Sequence, residues 1–284
     1  MFGLQYGENG ATFRAGFINI KGRSAIMKIV KILSAAILAG SFVLGAAEPQ
    51  IKVALAGSSA CQGYKSKDPK HIYGWGEFLG DHFKSNVKVL NFAVSGYSTV
   101  TFRSRGKWDQ LLKSKPDYVF MTLGANDTPG KKYPSKPETT YKENLRRYAA
   151  EAKAIGAKVI FVTINQSLVR DPKTNKAVFR KKTGPYVMSR APYSKAMREV
   201  AAELKLPCLE LAENQAKYFI AIGEEAAGKL YRINPKTGKI DPSHTNKAGA
   251  QLLAKIIITE LRKSNSDLKK YTTDPKLVWP AKKK

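Results

Sequence analysis

From residue 51 onward the chain alternates short unbroken apolar runs with longer stretches whose apolar residues recur on one helical face. "IKVALAG" (51–57), "VKVLNFAV" (87–94), "DYVFMTLG" (117–124), "KVIFVTI" (158–164) and "PCLELA" (207–212) are short and show little apolar–polar alternation. That is the pattern of strands covered on both faces. Between them, "YGWGEFLGDHF", "KWDQLLKS", "TYKENLRRYAAEAKAIG" and "SRAPYSKAMREVAAELK" read as amphipathic helices, and Gly156 closes the third as a C-cap. A final helix is expected from about Asn246 to Lys263. The rhythm predicts an α/β fold, with a five-stranded parallel sheet and helices on both sides. The stretch 165–185 has neither period, carries six Lys or Arg, and should overhang the rim where such sheets bind ligands.

The N-terminus has a different character. "MKIVKILSAAILAGSFVLGAAEPQ", starting at Met27, has a Lys-flanked start, an apolar run from Ile32 to Leu44 and small residues at 45–47. This is the layout of a secretory signal, with cleavage expected near Ala47 and Met27 as the true start. The apolar run is short for a transmembrane span. The expected organisation is therefore an upstream extension plus signal (1–47), a main domain (48–265) and a basic C-terminal extension (266–284) in which Trp279 could pin an extended tail. The expected location is secreted or periplasmic, with no stable membrane insertion after cleavage.

Charge narrows the partner. The chain carries +27, and because residues 1–47 hold five Lys/Arg and one Glu, the remainder carries +23. Such a field attracts polyanions. No Arg-rich arm or nucleic-acid module is visible, so nucleic acid is not expected, and export favours an acidic polysaccharide. Cys61 follows the first strand, whereas Cys208 opens the fifth; that separation along the sheet predicts two free thiols.

The chemistry gathers at the strand exits, where open parallel sheets build their sites. These are "LAGSSACQG" with Ser58 and Ser59, "NFAVSGYS" with Gly96, and "MTLGANDTPG" with Gly124, Asn126 and Asp127. A last loop, "KIDPSHTNKAGAQLL", places Asp241 three residues before His244. A serine hydroxyl needs a base to take its proton, and a histidine serves near neutral pH. The carboxylate would hold the imidazole in one tautomer. The Ser59 and Gly96 backbone N–H groups and the Asn126 amide would receive the oxyanion.

The order Gly-x-Ser, Gly, Gly-x-Asn-Asp and Asp-x-x-His resembles the four-block pattern of the SGNH, or GDSL-type, hydrolases. "GWGEFL" (74–79), "SGYSTVTFRSRGKWDQLL" (95–112), "YKENLRRYAAEAKAIGAKVIFVT" (141–163) and "DPSHTNKAGAQLLA" (241–254) look like the rhamnogalacturonan acetylesterase branch, a likeness covering about residues 51–263. The resemblance implies a flavodoxin-like three-layer α/β/α fold and removal of O-acetyl groups from an acetylated, acidic carbohydrate. By it, Ser59 is the nucleophile, His244 the base and Asp241 its orienter, while Ser59, Gly96 and Asn126 form the oxyanion hole. It implies no metal or organic cofactor, and a monomer is expected. Trp75, Tyr97 and Arg170 are candidate substrate contacts.

The chain departs from the family at Ser58, where Asp is usual, and at Ala125, where His is common; Tyr97 and Val100 replace polar residues. Two other functions stay open at this stage: a lipase- or thioesterase-type hydrolase on the same scaffold, and a non-catalytic glycan-binding descendant. His82 reads as structural and His71 as a loop residue.

Overall fold

The structure is a computed structural model that describes residues 49–281. The expected signal at 27–47 lies outside the described residues. Five parallel strands, β1 (Ile51–Ala56), β2 (Val87–Asn91), β3 (Tyr118–Met121), β4 (Lys158–Val162) and β7 (Cys208–Leu209), form one sheet in the order β2-β1-β3-β4-β7. Side chains of a strand point alternately to its two faces. Val53, Leu55, Phe120, Ile160 and Val162 enter one buried cluster, and Ala54, Ala56, Val119, Met121, Val159 and Phe161 enter another. Both faces need cover, which is why the strand segments read as unbroken apolar runs.

On the first face lie α5 (Leu211–Ile222) and the 17-residue α7 (Lys247–Lys263), whose Leu253, Ile256, Ile257 and Leu261 are buried. On the second lie α1 (Thr99–Ser104), α2 (Lys107–Lys113), α3 (Lys142–Ala154) and α4 (Ala191–Glu203), through Phe102, Trp108, Leu145, Tyr148, Met197 and Val200. A short α6 (Glu224–Gly228) follows α5. Two antiparallel ribbons stand apart from the sheet, β5 (Val169–Arg170) with β6 (Ala177–Val178), and β8 (Tyr231–Ile233) with β9 (Ile240–Thr245). The result is the expected three-layer α/β/α arrangement.

Local signals explain the element ends. Gly156 takes a left-handed conformation at φ +82°, its N–H bonds Lys153 O and the next N–H, Ala157, bonds Ala152 O. This paired closure ends α3 at the expected glycine. Asn246 caps α7 by accepting the Gly249 N–H at 3.0 Å.

Three expectations change. The stretch 74–83 forms two 3-10 turns, Trp75–Glu77 and Leu79–His82, in place of a helix. Glycines at 74, 76 and 80 weaken an α-helix, and the Glu77 carboxylate accepts the N–H groups of Tyr64, Lys65 and Gly74 at 3.1–3.2 Å. The fifth strand is only two residues long, because Leu211 already opens α5, a helix the apolar run "PCLELA" conceals. The cysteines are thiols, but they are parted across the sheet and not along it. Cys208 stands level with Ala56 through Phe161 and Met121, three strands away, at roughly 14 Å for a strand spacing of about 4.8 Å. Cys61 packs in the first cluster and Cys208 against the second.

The C-terminal segment folds back on the body. Asp267 accepts Tyr118 Oη at 2.8 Å and pairs with Lys158 at 2.6 Å, Thr273 N donates to His82 O, and Trp279 packs 5.7 Å from Tyr218.

Gly74 and Gly76 lie against the backbone that follows β1. A Cβ at Gly74 would stand 2.2 Å from Gln62 O, and one at Gly76 would stand 2.3 Å from Cys61 O. Backbone cannot swing aside as a flexible side chain can. Gly74→Ala should therefore cost about 1–3 kcal/mol and lower the melting temperature by roughly 3–10 °C, readable by thermal unfolding.

Candidate active site

Beyond Ala56 the chain makes a tight turn in which the Cys61 and Gln62 N–H groups both donate to Ser58 O, at 2.9 and 3.0 Å. Ser58 is 4% exposed, whereas Ser59 is partly open to solvent, so Ser59 is the hydroxyl a ligand can reach. Tyr64 Oη donates to Ser59 O at 3.0 Å, Asn91 Nδ2 donates to Cys61 O at 2.8 Å, and Gln62 Oε1 accepts the Ser95 N–H. These bonds tie the Ser59 loop to the exit of β2.

That exit is a four-residue turn closed by Tyr97 N to Val94 O at 3.2 Å, with Gly96 in its third position at φ +79°. A type II turn requires a positive φ there, which glycine meets without strain. Nothing lies within 4 Å of a Cβ built on Gly96, so the backbone conformation, not crowding, calls for glycine. Asn126 donates one Nδ2 hydrogen to Tyr97 O at 3.0 Å, which parks its amide beside the Gly96 turn. The amide carries a second hydrogen.

Asp127, adjacent to Asn126, is fully buried. It accepts the Thr99 N–H at 3.0 and 3.1 Å, the Thr99 hydroxyl, and the Ser135 hydroxyl at 2.7 Å. Its carbonyl accepts Tyr193 Oη at 2.8 Å. Burial pushes its carboxyl above the ordinary range, against the opposing effect of these bonds. Asp127 thus welds the loop of Asn126 to the first turn of α1, immediately after Gly96. The Gly-x-Asn-Asp motif signalled this residue, but sequence reading left it without a role.

The Asp241–His244 pair lies on β9, where the sequence suggested a plain loop. Tyr231 pairs with Thr245 and Arg232 with Asp241. Adjacent residues on β8 therefore face positions four apart on β9, and 242–244 bulge out of the ladder. Bulges re-aim side chains, and here the bulge folds His244 back on Asp241, with Nδ1 2.8 Å from Oδ2. The other carboxylate oxygen accepts the Ser243 N–H at 3.0 Å. With Nδ1–H donated to the carboxylate, Nε2 is the ring nitrogen able to accept a proton. Arg232 Nε stands 3.4 Å from the same Oδ2. Burial raises the Asp241 carboxyl, but the His244 hydrogen bond and charge, the Ser243 amide and Arg232 outweigh it and leave Asp241 below the ordinary carboxylate value.

The loops of Ser59 and His244 are stitched to one strand of chain, 73–75. Trp75 N donates to Ala60 O at 2.9 Å, Tyr73 N donates to Thr245 O at 2.9 Å, and Thr245 Oγ1 returns a bond to Tyr73 O at 3.0 Å. The residues after Ser59 and after His244 therefore share a scaffold two residues apart. Of the candidate substrate contacts, Trp75 is only 1% exposed and packs in the core, so it has no face to offer a sugar. Tyr97 is partly buried, edge-on to Phe102 at 6.5 Å, with the Arg105 guanidinium 5.2 Å from its ring. Arg170 is partly exposed on β5, opposite Ala177.

Asp127→Ala should strand the Thr99 N–H and the Ser135 hydroxyl in the interior, at a cost of about 3 kcal/mol. Asp127→Asn keeps one acceptor oxygen and should lose less. Denaturant unfolding at pH 7 measures both.

Comparison with known proteins shows the family. Residues 55–252 match the model of the GDSL-like Lipase/Acylhydrolase family. The chain is 32% identical over 208 residues to the protein named probable rhamnogalacturonan acetylesterase YesY of Bacillus subtilis (strain 168), covering 72% of this chain and 88% of that one. It is 28% identical over 233 residues to rhamnogalacturonan acetylesterase RhgT of the same organism, covering 78% and 94%. Among solved structures, protein YxiM of Bacillus subtilis superposes with a TM-score of 0.59 at 26% identity, over 76% of this chain and 56% of that one. An acetylxylan esterase, Axe2 of Geobacillus stearothermophilus, shares the fold with a TM-score of 0.55 at 15% identity, over 83% of this chain and 98% of its own. With a family match that spans residues 55–252, this chain belongs to the GDSL-like lipase/acylhydrolase family.

Proposed function

We propose that this protein is an exported serine esterase that removes O-acetyl groups from an acidic, rhamnogalacturonan-like polysaccharide. The observation that carries the chemistry is the 2.8 Å bond between His244 Nδ1 and Asp241 Oδ2, on a bulge stitched to the Ser59 loop. It leaves Nε2 as the base. Ser59 Oγ loses its proton to His244 Nε2 and attacks the acetyl carbonyl. The oxyanion is received by the Ser59 and Gly96 N–H groups and the second Asn126 amide hydrogen, donors held fixed before the reaction. His244 returns the proton to the departing sugar oxygen, and water, deprotonated by the same ring, clears the acetyl-enzyme. Asp241 stays ionised and compensates the imidazolium.

The substrate class is supported by the two acetylesterase relatives and by the net charge of +23 that remains beyond residue 47, which favours a polyanion. Export is supported by the signal-like stretch 27–47.

Ser59→Ala should reduce acetate release from acetylated rhamnogalacturonan by about 10³-fold or more. Near-wild-type turnover of that variant would end the mechanism. His244→Ala should do the same, and the double variant should lose little further, since the two act as a unit. Asp241 adds a pH signature. Its folded value is depressed, so its stabilising contribution is present above the unfolded value near ~3.9 and fades as pH falls through the folded one. Asp241→Asn should remove that acid-range dependence from the unfolding curve and lower kcat by roughly 10³–10⁴-fold through loss of the tautomer.

A further inference from the structure

Residues 164–168, leaving β4, run between the two halves of the active site. At one end Ile164 crowds Gly124, whose added Cβ would lie 2.4 Å from Ile164 Cδ1, and Gly124 heads the loop of Asn126. At the other end Leu168 N donates to Pro242 O at 2.9 Å, between Asp241 and His244. This strip is held from behind. Gln166 N donates to Gln215 Oε1 at 2.7 Å, Gln166 O accepts Tyr231 Oη at 3.3 Å, and Gln166 Oε1 accepts the Val187 N–H at 2.6 Å.

Two arginines fasten onto the carbonyls of the same strip. Arg190 Nη1 donates to Asn165 O at 2.6 Å. Arg180 Nη1 donates to Ser167 O, and its Nη2 donates to Leu168 O at 3.3 Å. Neither has a carboxylate partner among the described residues, unlike Arg103, Arg146 and Arg198, which all pair with glutamates. Burial pulls both guanidinium values down, that of Arg190 to about 10, and the charge of Arg180 adds to the strain on Arg190. Carbonyl acceptors satisfy N–H groups but leave the two positive charges uncancelled. Each guanidinium has five N–H donors. One or two meet carbonyls here, and neither residue as a whole is fully buried.

We propose that Arg180 and Arg190 form an anion subsite at the edge of the catalytic cleft, which takes the carboxylate of a uronosyl residue in the glycan being deacetylated. A planar carboxylate matches a guanidinium with two parallel hydrogen bonds, a geometry that a lysine cannot copy. The site deepens the acetylesterase reading and rests on it for the identity of the glycan. It also separates selective recognition from the diffuse field of exposed lysines such as Lys173, Lys181 and Lys182, which salt screens.

The test is competition. Turnover of 4-nitrophenyl acetate is measured with added unacetylated oligogalacturonate, its fully methyl-esterified counterpart, and a xylo-oligosaccharide of equal length. In the wild type the free acid should inhibit at a concentration at least ten-fold lower than either neutral glycan. Arg190→Gln and Arg180→Gln should each raise its inhibition constant about ten-fold, leave those of the neutral glycans within two-fold, and Arg190→Lys should fall between. Equal inhibition by the acid and its methyl ester in the wild type would overturn the proposal without any variant, and so would inhibition constants unmoved by both Gln substitutions. Acetate release from acetylated rhamnogalacturonan is scored separately. Its absence beside Arg-dependent competition would sink the acetylesterase reading and leave the subsite standing; its presence without acid preference would do the reverse.

Discussion

The bulge at 242–244 is the constraint on which the site depends. An antiparallel ladder would send Asp241 and His244 to opposite faces of the ribbon, because three residues of regular strand separate side chains by an odd number of alternations. The extra residues on β9, between Asp241 and Thr245, fold the chain back so that ring and carboxylate meet. The ladder resumes at once with Thr245 opposite Tyr231, while Thr245 also bonds Tyr73 and Asn246 caps α7. Six consecutive residues thus hold the imidazole, anchor it to the Ser59 loop, and begin the helix that covers one face of the sheet.

Two kinds of force share the work. The sheet and its helices form a frame held by apolar burial on both faces, which fixes where the strands end. The loops beyond those ends are held by polar groups that each serve several partners: the half-buried Glu77 takes three backbone N–H groups, the buried Asp127 binds Thr99 and Ser135, and the buried Gln166 joins Gln215, Tyr231 and Val187. Apolar packing is tolerant of detail, whereas a polar group with fixed partners specifies a position. The loops of the candidate site accordingly rest on the second kind.

The sequence was a good guide wherever a local signal sufficed. Continuous apolar runs marked the buried strands, Gly156 and Asn246 marked helix ends, and the candidates Ser59, Gly96 and Asn126 lie at strand exits as expected. It was a poor guide where meaning depends on tertiary partners. Nothing local distinguishes Arg180 and Arg190, which lie near the strip, from the exposed lysines around them. Asp127 reads as a turn residue until Thr99 is seen above it. Leu211 looks like strand because helix and strand cannot be told apart in so short an apolar run. The bulge of β9 was invisible for the same reason: it exists only relative to the register of β8.

The separation of Cys61 and Cys208 has a consequence for how this chain must be made. Three strand spacings and the thickness of the sheet stand between the two sulfurs in the finished fold. In the unfolded chain nothing keeps them apart. Under oxidising conditions a bond formed between them before the sheet assembles would join atoms that the native topology cannot bring together, and would become a covalent trap. In such surroundings productive folding requires the sheet to close before oxidation does.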